Sequence, residues 1–348
     1  MSTTLNIGLI DTPLSRTPSS SHIHRWPGGP ELTSSNYLAH ADINVGLLLG
    51  SESVESTPIL PECNIYLAEA VQDSNLTLRL LEGLEWMIEQ PVNVVAMPFG
   101  EHHGSPFMIP LIQQLLDRDI LPVAAIGNKG AGQFSAPGCY QGVLSVGGTD
   151  ESGEVAPYSG SLNLPDGKCL KPEVLMNGAV ITDHRTMQGT SFATTKLAGH
   201  LAILRDKYPN VNYQHFINLT YVSCNPVSAE FKHRCVHGVL NTERLKGPLK
   251  NVETLAPQTL TIPGKFTDPF LLRQMQQSPP DKILDAIVCP KNSDLAAYPD
   301  IEVVKSFAND QILVIKALVS TLLMMHTQPD ILVLQSQEIP PISILQLR

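Results

Sequence analysis

Apolar residues in the first third of the chain come in short unbroken runs rather than in alternation. Leu5–Ile10 is the first, closed by Asp11-Thr12-Pro13. Asn64–Ala70, Val92–Met97 and Ile120–Ile126 follow, the last stopping at Gly127-Asn128. Runs of this length, bounded by turn residues, predict strands buried on both faces. Between them, apolar positions recur at helical spacing over Tyr37–Gly50, Leu76–Gln90 and Phe107–Arg118. Such alternation predicts an α/β fold with a parallel sheet and helices on both of its faces.

Beyond Asn128 the pattern shortens to strands at Gly142–Gly147, Val155–Tyr158 and Glu173–Leu175. Helices are then predicted over Thr190–Lys207 and Tyr213–Val222. The stretch 246–282 holds Pro248, Pro257, Pro263, Pro269, Pro279 and Pro280 with little periodicity, as expected of a linker or wrapping arm. From Ile283 the pattern turns strand-rich again (LDAIVCP, IEVVKSF, QILVIKA), followed by a helix at Leu318–His326 and a strand at Ile331–Leu334. The organisation is therefore a main domain over 1–247, a proline-rich connector over 248–282 and a small α/β domain over 283–348.

Of 348 residues, 43% are hydrophobic and 16% charged, and the net charge is −10. That is core enough for a full-sized enzyme, and it argues against a cationic footprint for nucleic acid or anionic lipid. The longest apolar stretch, Ile312–Met325, contains Lys316 and is too short to span a bilayer. The N-terminus has neither the basic start nor the apolar run of a signal peptide. Six scattered cysteines without a CxxC pair indicate free thiols in a cytoplasmic protein. Glu101-His102-His103 resembles a metal cluster, but neighbours on a strand face opposite ways. A solvated loop near the substrate cleft is the expectation there.

Three segments each supply one residue for hydroxyl nucleophile chemistry. Asp11 stands at the carboxyl end of the first strand, where open α/β sheets gather their active groups. His40 opens a helix. Ser191 lies in Gly189-Thr190-Ser191-Phe192-Ala193, where another helix begins. A serine hydroxyl needs an imidazole base and a carboxylate that fixes the ring tautomer. A helix N-terminus adds donors and positive dipole where an oxyanion forms. GTSFA also fits the nucleophile elbow of α/β-hydrolases loosely. That fold wants a strand before the serine, and Thr182–Gln188 reads as a polar loop.

The order Asp, His, Ser and four sequence blocks resemble the subtilisin-like serine peptidases. IGLIDTP is similar to that family's aspartate block. His40-Ala41-Asp42-Ile43-Asn44-Val45-Gly46, continuing to Gly50, is similar to its HGT-x-VAG helix. VAAIGNKG resembles the oxyanion block, and KPEVLMNG followed by GTSFAT resembles the serine block. Gly238-Val239-Leu240-Asn241 matches the closing stretch, so the resemblance covers residues 5–245. It implies a three-layer subtilisin-like sheet. It also implies Ser191 as nucleophile, His40 as base, Asp11 as its orienting carboxylate, and Asn128 in the oxyanion hole. Met97, Pro98, Phe99 and Gly100 would form the substrate-pairing edge, with Ala124, Ala125 and Gly127 lining a side-chain pocket. No cofactor is implied. Calcium is common in the family, but no D-x-[DN]-x-[DN]-G loop assigns it here.

Several positions depart from the family pattern. Pro13 replaces a glycine, HGT reads His40-Ala41-Asp42, and Pro98 replaces a serine on the substrate edge. The residues after the nucleophile read Phe192-Ala193-Thr194-Thr195-Lys196 instead of M-A-(S/T)-P-H. The triad and the oxyanion asparagine stay intact. The small C-terminal domain resembles the family's propeptide. It is expected either to dock on the catalytic domain, with Gln337–Arg348 near the cleft, or to serve as an accessory domain. With only ten residues before Asp11, no prodomain is expected there. The expected function is a serine endopeptidase acting through an acyl-enzyme on a specific peptide or protein precursor, such as a leader peptide. The rivals are a peptide-binding pseudoprotease and a transpeptidase or esterase on the same scaffold.

Overall fold

The computed structural model describes residues 5–15, 21–30, 39–71, 76–102, 104–247, 260, 262, 265–292, 295–298 and 300–337. Nine strands build the central sheet: β1 (Asn6–Asp11), β2 (Ile23–Arg25), β3 (Asn64–Glu69), β4 (Val94–Met97), β5 (Leu121–Ala125), β6 (Leu144–Thr149), β7 (Val174–Asn177), β8 (Cys224–Asn225) and β9 (Gly238–Leu240). Their spatial order is β8-β9-β7-β6-β5-β4-β1-β3-β2, and only the β8–β9 pair is antiparallel. The unbroken apolar runs are explained by burial on both faces: Ile7, Leu9 and Ile10 of β1 and all of β4 expose no surface. Each such aliphatic side chain contributes roughly 1.5–3 kcal/mol relative to exposure.

From β1 the chain moves to β3 on one side and returns to β4 on the other. The carboxyl end of β1 is therefore a switch point, where a crevice opens in sheets of this kind. Helices α1 (His40–Leu49), α2 (Leu76–Ile88), α3 (Ile109–Asp117) and α4 (Thr190–Lys207) cover the sheet, α2 packing with α3 and α1 with α4. The longest of them, α4, buries Ala193, Leu197, Leu201 and Leu204 in the main core.

Three local expectations are corrected. Val155–Tyr158 is no strand; only Val155 bridges to Thr149. Thr182–Gln188 is no loop, because Ala179–Thr182 and Arg185–Gln188 form an antiparallel hairpin. Its second strand reads as polar because Arg185 and Thr186 face solvent. The hairpin is separate from the central sheet, so it does not supply the nucleophile-elbow strand. In the expected connector, Phe266–Thr267 forms a strand and Pro269–Gln277 a helix capped by Asp268, whose carboxylate accepts from Phe270 N at 3.0 Å. Pro269 opens this helix at a position where its missing N–H costs nothing. Residues 248–259, the first third of the connector, lie outside the described residues.

A second sheet follows: β10 (Phe266–Thr267), β11 (Ile283–Pro290), β12 (Ile301–Phe307), β13 (Ile312–Leu318) and β14 (Ile331–Ser336), in the order β10-β14-β11-β13-β12. Alternation along β11 sends Ala286 and Val288 to the helices Pro269–Gln277 and Val319–Thr327. Ile287 and Cys289 go to the main core instead. Polar contacts run along the same seam. Thr77 Oγ1 donates to the Ser336 carbonyl (3.2 Å), Ser105 Oγ to Gln335 Oε1 (2.7 Å), and Lys305 pairs with Glu82 (3.0 Å).

Glu101 sits at this seam and is buried, not solvated, at 1% exposure. Its strand, Glu101–His102, pairs with Ser135–Ala136, while His103 lies outside the described residues. Burial, reinforced by the Asp268 carboxylate and opposed by a backbone hydrogen bond at Ser105, pushes the Glu101 carboxyl up to about 8. The unfolded chain releases this proton near pH 4.5 and the folded chain holds it to about 8. Stability from this group therefore falls as pH rises between those values. Glu101→Gln is expected to remove the dependence and to stabilise the protein at pH 8 by a few kcal/mol. Melting curves at pH 5 and pH 8 check this, the variant gaining over the parent only at the higher pH.

Candidate active site

Asp11 ends β1 with 1% exposure, and both carboxylate oxygens are taken. Oδ1 lies 2.6 Å from His40 Nδ1 and accepts from Thr12 N at 2.6 Å. Oδ2 accepts from Asn44 Nδ2 at 2.8 Å. A carboxylate only accepts, so Nδ1 carries a proton, and in the neutral tautomer of this pairing Nε2 keeps the lone pair. The imidazole stacks on Phe192, with centroids 5.8 Å apart. Phe192 packs in turn among Ile43, Leu47, Val54 and Val180.

The departures at 40–42 have a structural use. Ala39 precedes α1 and has no capping oxygen, so Asp42 in the first turn supplies one. It accepts from Ala39 N at 2.6 Å and from Ser15 N at 3.1 Å. A negative group there also meets the positive end of the helix. Ala41 N donates to Thr12 Oγ1 at 3.1 Å, so the aspartate loop and the histidine helix are bound at two points. Leu14 N donates to Glu69, a buried carboxylate paired with Arg25, which anchors the loop beyond Pro13.

Ser191 stands in the first turn of α4, 6% exposed. Thr190 beside it donates from both N and Oγ1 to Asn128 Oδ1, each at 2.9 Å. With its oxygen held this way, Asn128 has its amide N–H groups free to donate, next to the residue that precedes Ser191.

The remaining residues assigned to substrate divide into two groups. Met97 and Ala124 have no exposed surface and belong to the core, because β4 and β5 are central strands. Ala125 and Phe99 are also buried, at 2% and 5%, and Pro98 with them. Gly100 and Gly127, just past the strand ends, keep partial exposure. Ser135 bridges these two glycines: a Cβ on Gly100 would come within 2.5 Å of Ser135 Cβ, and one on Gly127 within 2.7 Å of its Oγ. Gly127 also has φ +108°, which a side chain would strain. No motif in the sequence marks Ser135. Asn44, Thr190 and Thr195 were likewise not singled out for the site, although each lies within one helical turn of a residue that was.

Among the described residues, no three His, Cys, Asp or Glu side chains converge on a point that could hold a metal ion.

The subtilase family model matches residues 7–237. The chain belongs to the subtilase family. This subtilase is 25% identical over 214 residues to Thermostable alkaline protease of Halalkalibacterium halodurans, covering 59% of this chain and 57% of that one. It is 27% identical over 187 residues to Intracellular serine protease of Paenibacillus polymyxa, covering 51% and 56%. The subtilase thus spans about half the length of the first curated relatives it matches. In fold it is similar to Prenylagaramide maturation protease PagA, with a TM-score of 0.57 and 21% identity, over 69% of this chain and 91% of that one. No helix among the described residues is long and apolar enough to cross a membrane.

Proposed function

We propose that this subtilase is a serine endopeptidase that cuts a specific precursor peptide through an acyl-enzyme. The observation that carries the proposal is Asp11 at 2.6 Å from His40 Nδ1, which leaves Nε2 as the base for a serine at a helix N-terminus. Ser191 attacks the scissile carbonyl, His40 takes its proton and passes it to the leaving amine, and Asp11 stabilises the imidazolium between the two steps. Asn128 and the Ser191 N–H hold the oxyanion. Treatment with a fluorophosphonate, followed by intact-mass analysis, is expected to give one adduct on Ser191. Folded protein that takes no adduct would overturn the proposal.

Precursor processing draws support from relatives of the same fold, which include maturation proteases for prenylagaramide and patellamide. A PatG macrocyclase in complex with peptide shares the fold too, at a TM-score of 0.56. The second outcome, transfer of the acyl group to an amine, is separated by product mass: hydrolysis adds one water and cyclisation adds none. We read the second sheet as a docked counterpart of the catalytic unit, supported by its buried seam with α2 and residues 105–109. The expected approach of the tail to the cleft concerns residues 338–348, outside the described residues.

Two predictions belong to the cleft. Asn128→Leu is expected to lower kcat by roughly 10²–10³, the loss seen in subtilisin when its oxyanion asparagine is removed, with KM nearly unchanged. Steady-state kinetics on any cleaved peptide measures the split. With Gly100 and Gly127 as the proposed edges of the side-chain pocket, Ser135, packed against both, would set the size of the residue accepted before the cut. Ser135→Gly is expected to raise kcat/KM for larger residues there by about tenfold or more, read from a peptide library.

A further inference from the structure

On α1, His40 is followed one turn later by Asn44 and two turns later by Leu48. On α4, Ser191 is followed at the same intervals by Thr195 and Gly199. Residues four apart share a helix face, so these two triplets form facing rows. The rows meet at both lower rungs. Thr195 Oγ1 donates to Asn44 Oδ1 at 2.8 Å, and a Cβ on Gly199 would come within 3.0 Å of Leu48 Cδ2. Asn44 is fully buried and Thr195 likewise, both at 0% exposure. The orientation of the Asn44 amide is forced. Its NH2 faces the acceptor-only Asp11 carboxylate at 2.8 Å, so its oxygen faces the Thr195 hydroxyl.

One buried amide thus ties three segments together: the aspartate strand, the histidine helix and the serine helix. A buried polar pair costs desolvation that its hydrogen bonds at best offset, so an apolar pair would pack these positions as well. The family pattern in fact has valine where Asn44 stands and proline where Thr195 stands. The two departures are each other's hydrogen-bond partners.

We infer that Asn44 and Thr195 are positioning residues, a strut that holds α1 and α4 in axial register and fixes the Asp11 carboxylate for His40. This rests on the peptidase reading. Asn44 acts on Asp11 by sharing its negative charge. Without that donor, the Asp11 charge falls more fully on the imidazolium, and the acid limb of the rate profile moves to higher pH. Thr195 acts through Asn44 alone.

The test is the rate of fluorophosphonate labelling of the full chain between pH 5 and 9. The variants are Asn44→Leu, Thr195→Val, Thr195→Ser and the Asn44→Leu/Thr195→Val double substitution. Asn44→Leu is expected to label roughly 10- to 100-fold more slowly, with its acid limb displaced upward. Thr195→Val, nearly the same shape as threonine, is expected to lose about tenfold, and Thr195→Ser to recover to within about twofold of the parent. The double variant should be no slower than Asn44→Leu, because the two act as one unit. Parental rates and pH profiles in Thr195→Val and Asn44→Leu would overturn the strut. So would losses that multiply in the double variant, or that follow melting temperature alone. A parent that takes no label overturns the peptidase reading as well, which keeps the two failures apart.

Discussion

Ser191→Ala is expected to lower kcat on the order of 10⁶-fold, the loss that removal of the nucleophile causes in subtilisin, and to abolish fluorophosphonate labelling. The fold should not suffer. Ser191 lies in the first turn of α4, where alanine is at least as good a helix former, and its side chain is 6% exposed. An unchanged or slightly raised melting temperature would confirm that the loss is chemical. The informative companion is His40→Ala, alone and in combination. Residues that act as one catalytic unit do not add, so the double variant should be no slower than Ser191→Ala. What survives would come from the Asn128 amide and substrate binding, and should fall further in Ser191→Ala/Asn128→Leu. A pseudoprotease gives the opposite pattern: a parent that binds peptide, leaves it intact and is unaffected by Ser191→Ala.

Much of the fold was legible in the sequence because parallel strands buried on both faces must be unbroken apolar runs, as β1, β4 and β5 are. Helices ended where the sequence offered a stop, such as Gly50 after α1. The hairpin over residues 179–188 was not legible, since Arg185–Gln188 puts its leading residues in solvent and shows no apolar alternation. The strand and helix within 266–277 were masked by the prolines around them, although Asp268-Pro269 is a helix start when read locally.

The site shows the same division. Asp11, His40 and Ser191 could be proposed because strand ends and helix starts are where such chemistry is placed, whereas Asn128 was named through the family resemblance alone. Met97 and Ala124 could not be told from cleft residues. Exposure past a strand end depends on where neighbouring strands stop, and only the sheet supplies that. Asn44 did leave a signal, a lone amide on the buried side of an otherwise apolar helix one turn beyond His40. Its meaning depended on Thr195, 151 residues away. Ser135 left none, because its contacts are with two glycines that have no side chains to form a pattern.

Asp11→Asn carries the second large expectation, a fall in kcat on the order of 10⁴ with the acid limb moved to lower pH. The carboxylate now accepts on both sides, from His40 and Thr12 at Oδ1 and from Asn44 at Oδ2. An amide can offer its oxygen to only one side. If the oxygen faces Asn44, the new NH2 meets His40 Nδ1. The ring must then carry its proton on Nε2, where it cannot take one from Ser191. The same NH2 would also confront the Thr12 N–H, two donors face to face. If the oxygen instead faces His40, Asn44 must turn and the Thr195 hydroxyl reverse. The tautomer is then correct, but the imidazolium has no counter-charge within the buried site. Both orientations slow the reaction, for different reasons, and the Thr195→Val background separates them. Valine cannot accept from a turned Asn44, so Asp11→Asn/Thr195→Val is forced into the first orientation and should be slower than Asp11→Asn alone. Equal rates would show that the single variant already holds the wrong tautomer. In either case the shift of the acid limb runs opposite to that of Asn44→Leu, since one substitution removes the negative charge and the other removes the donor that shares it.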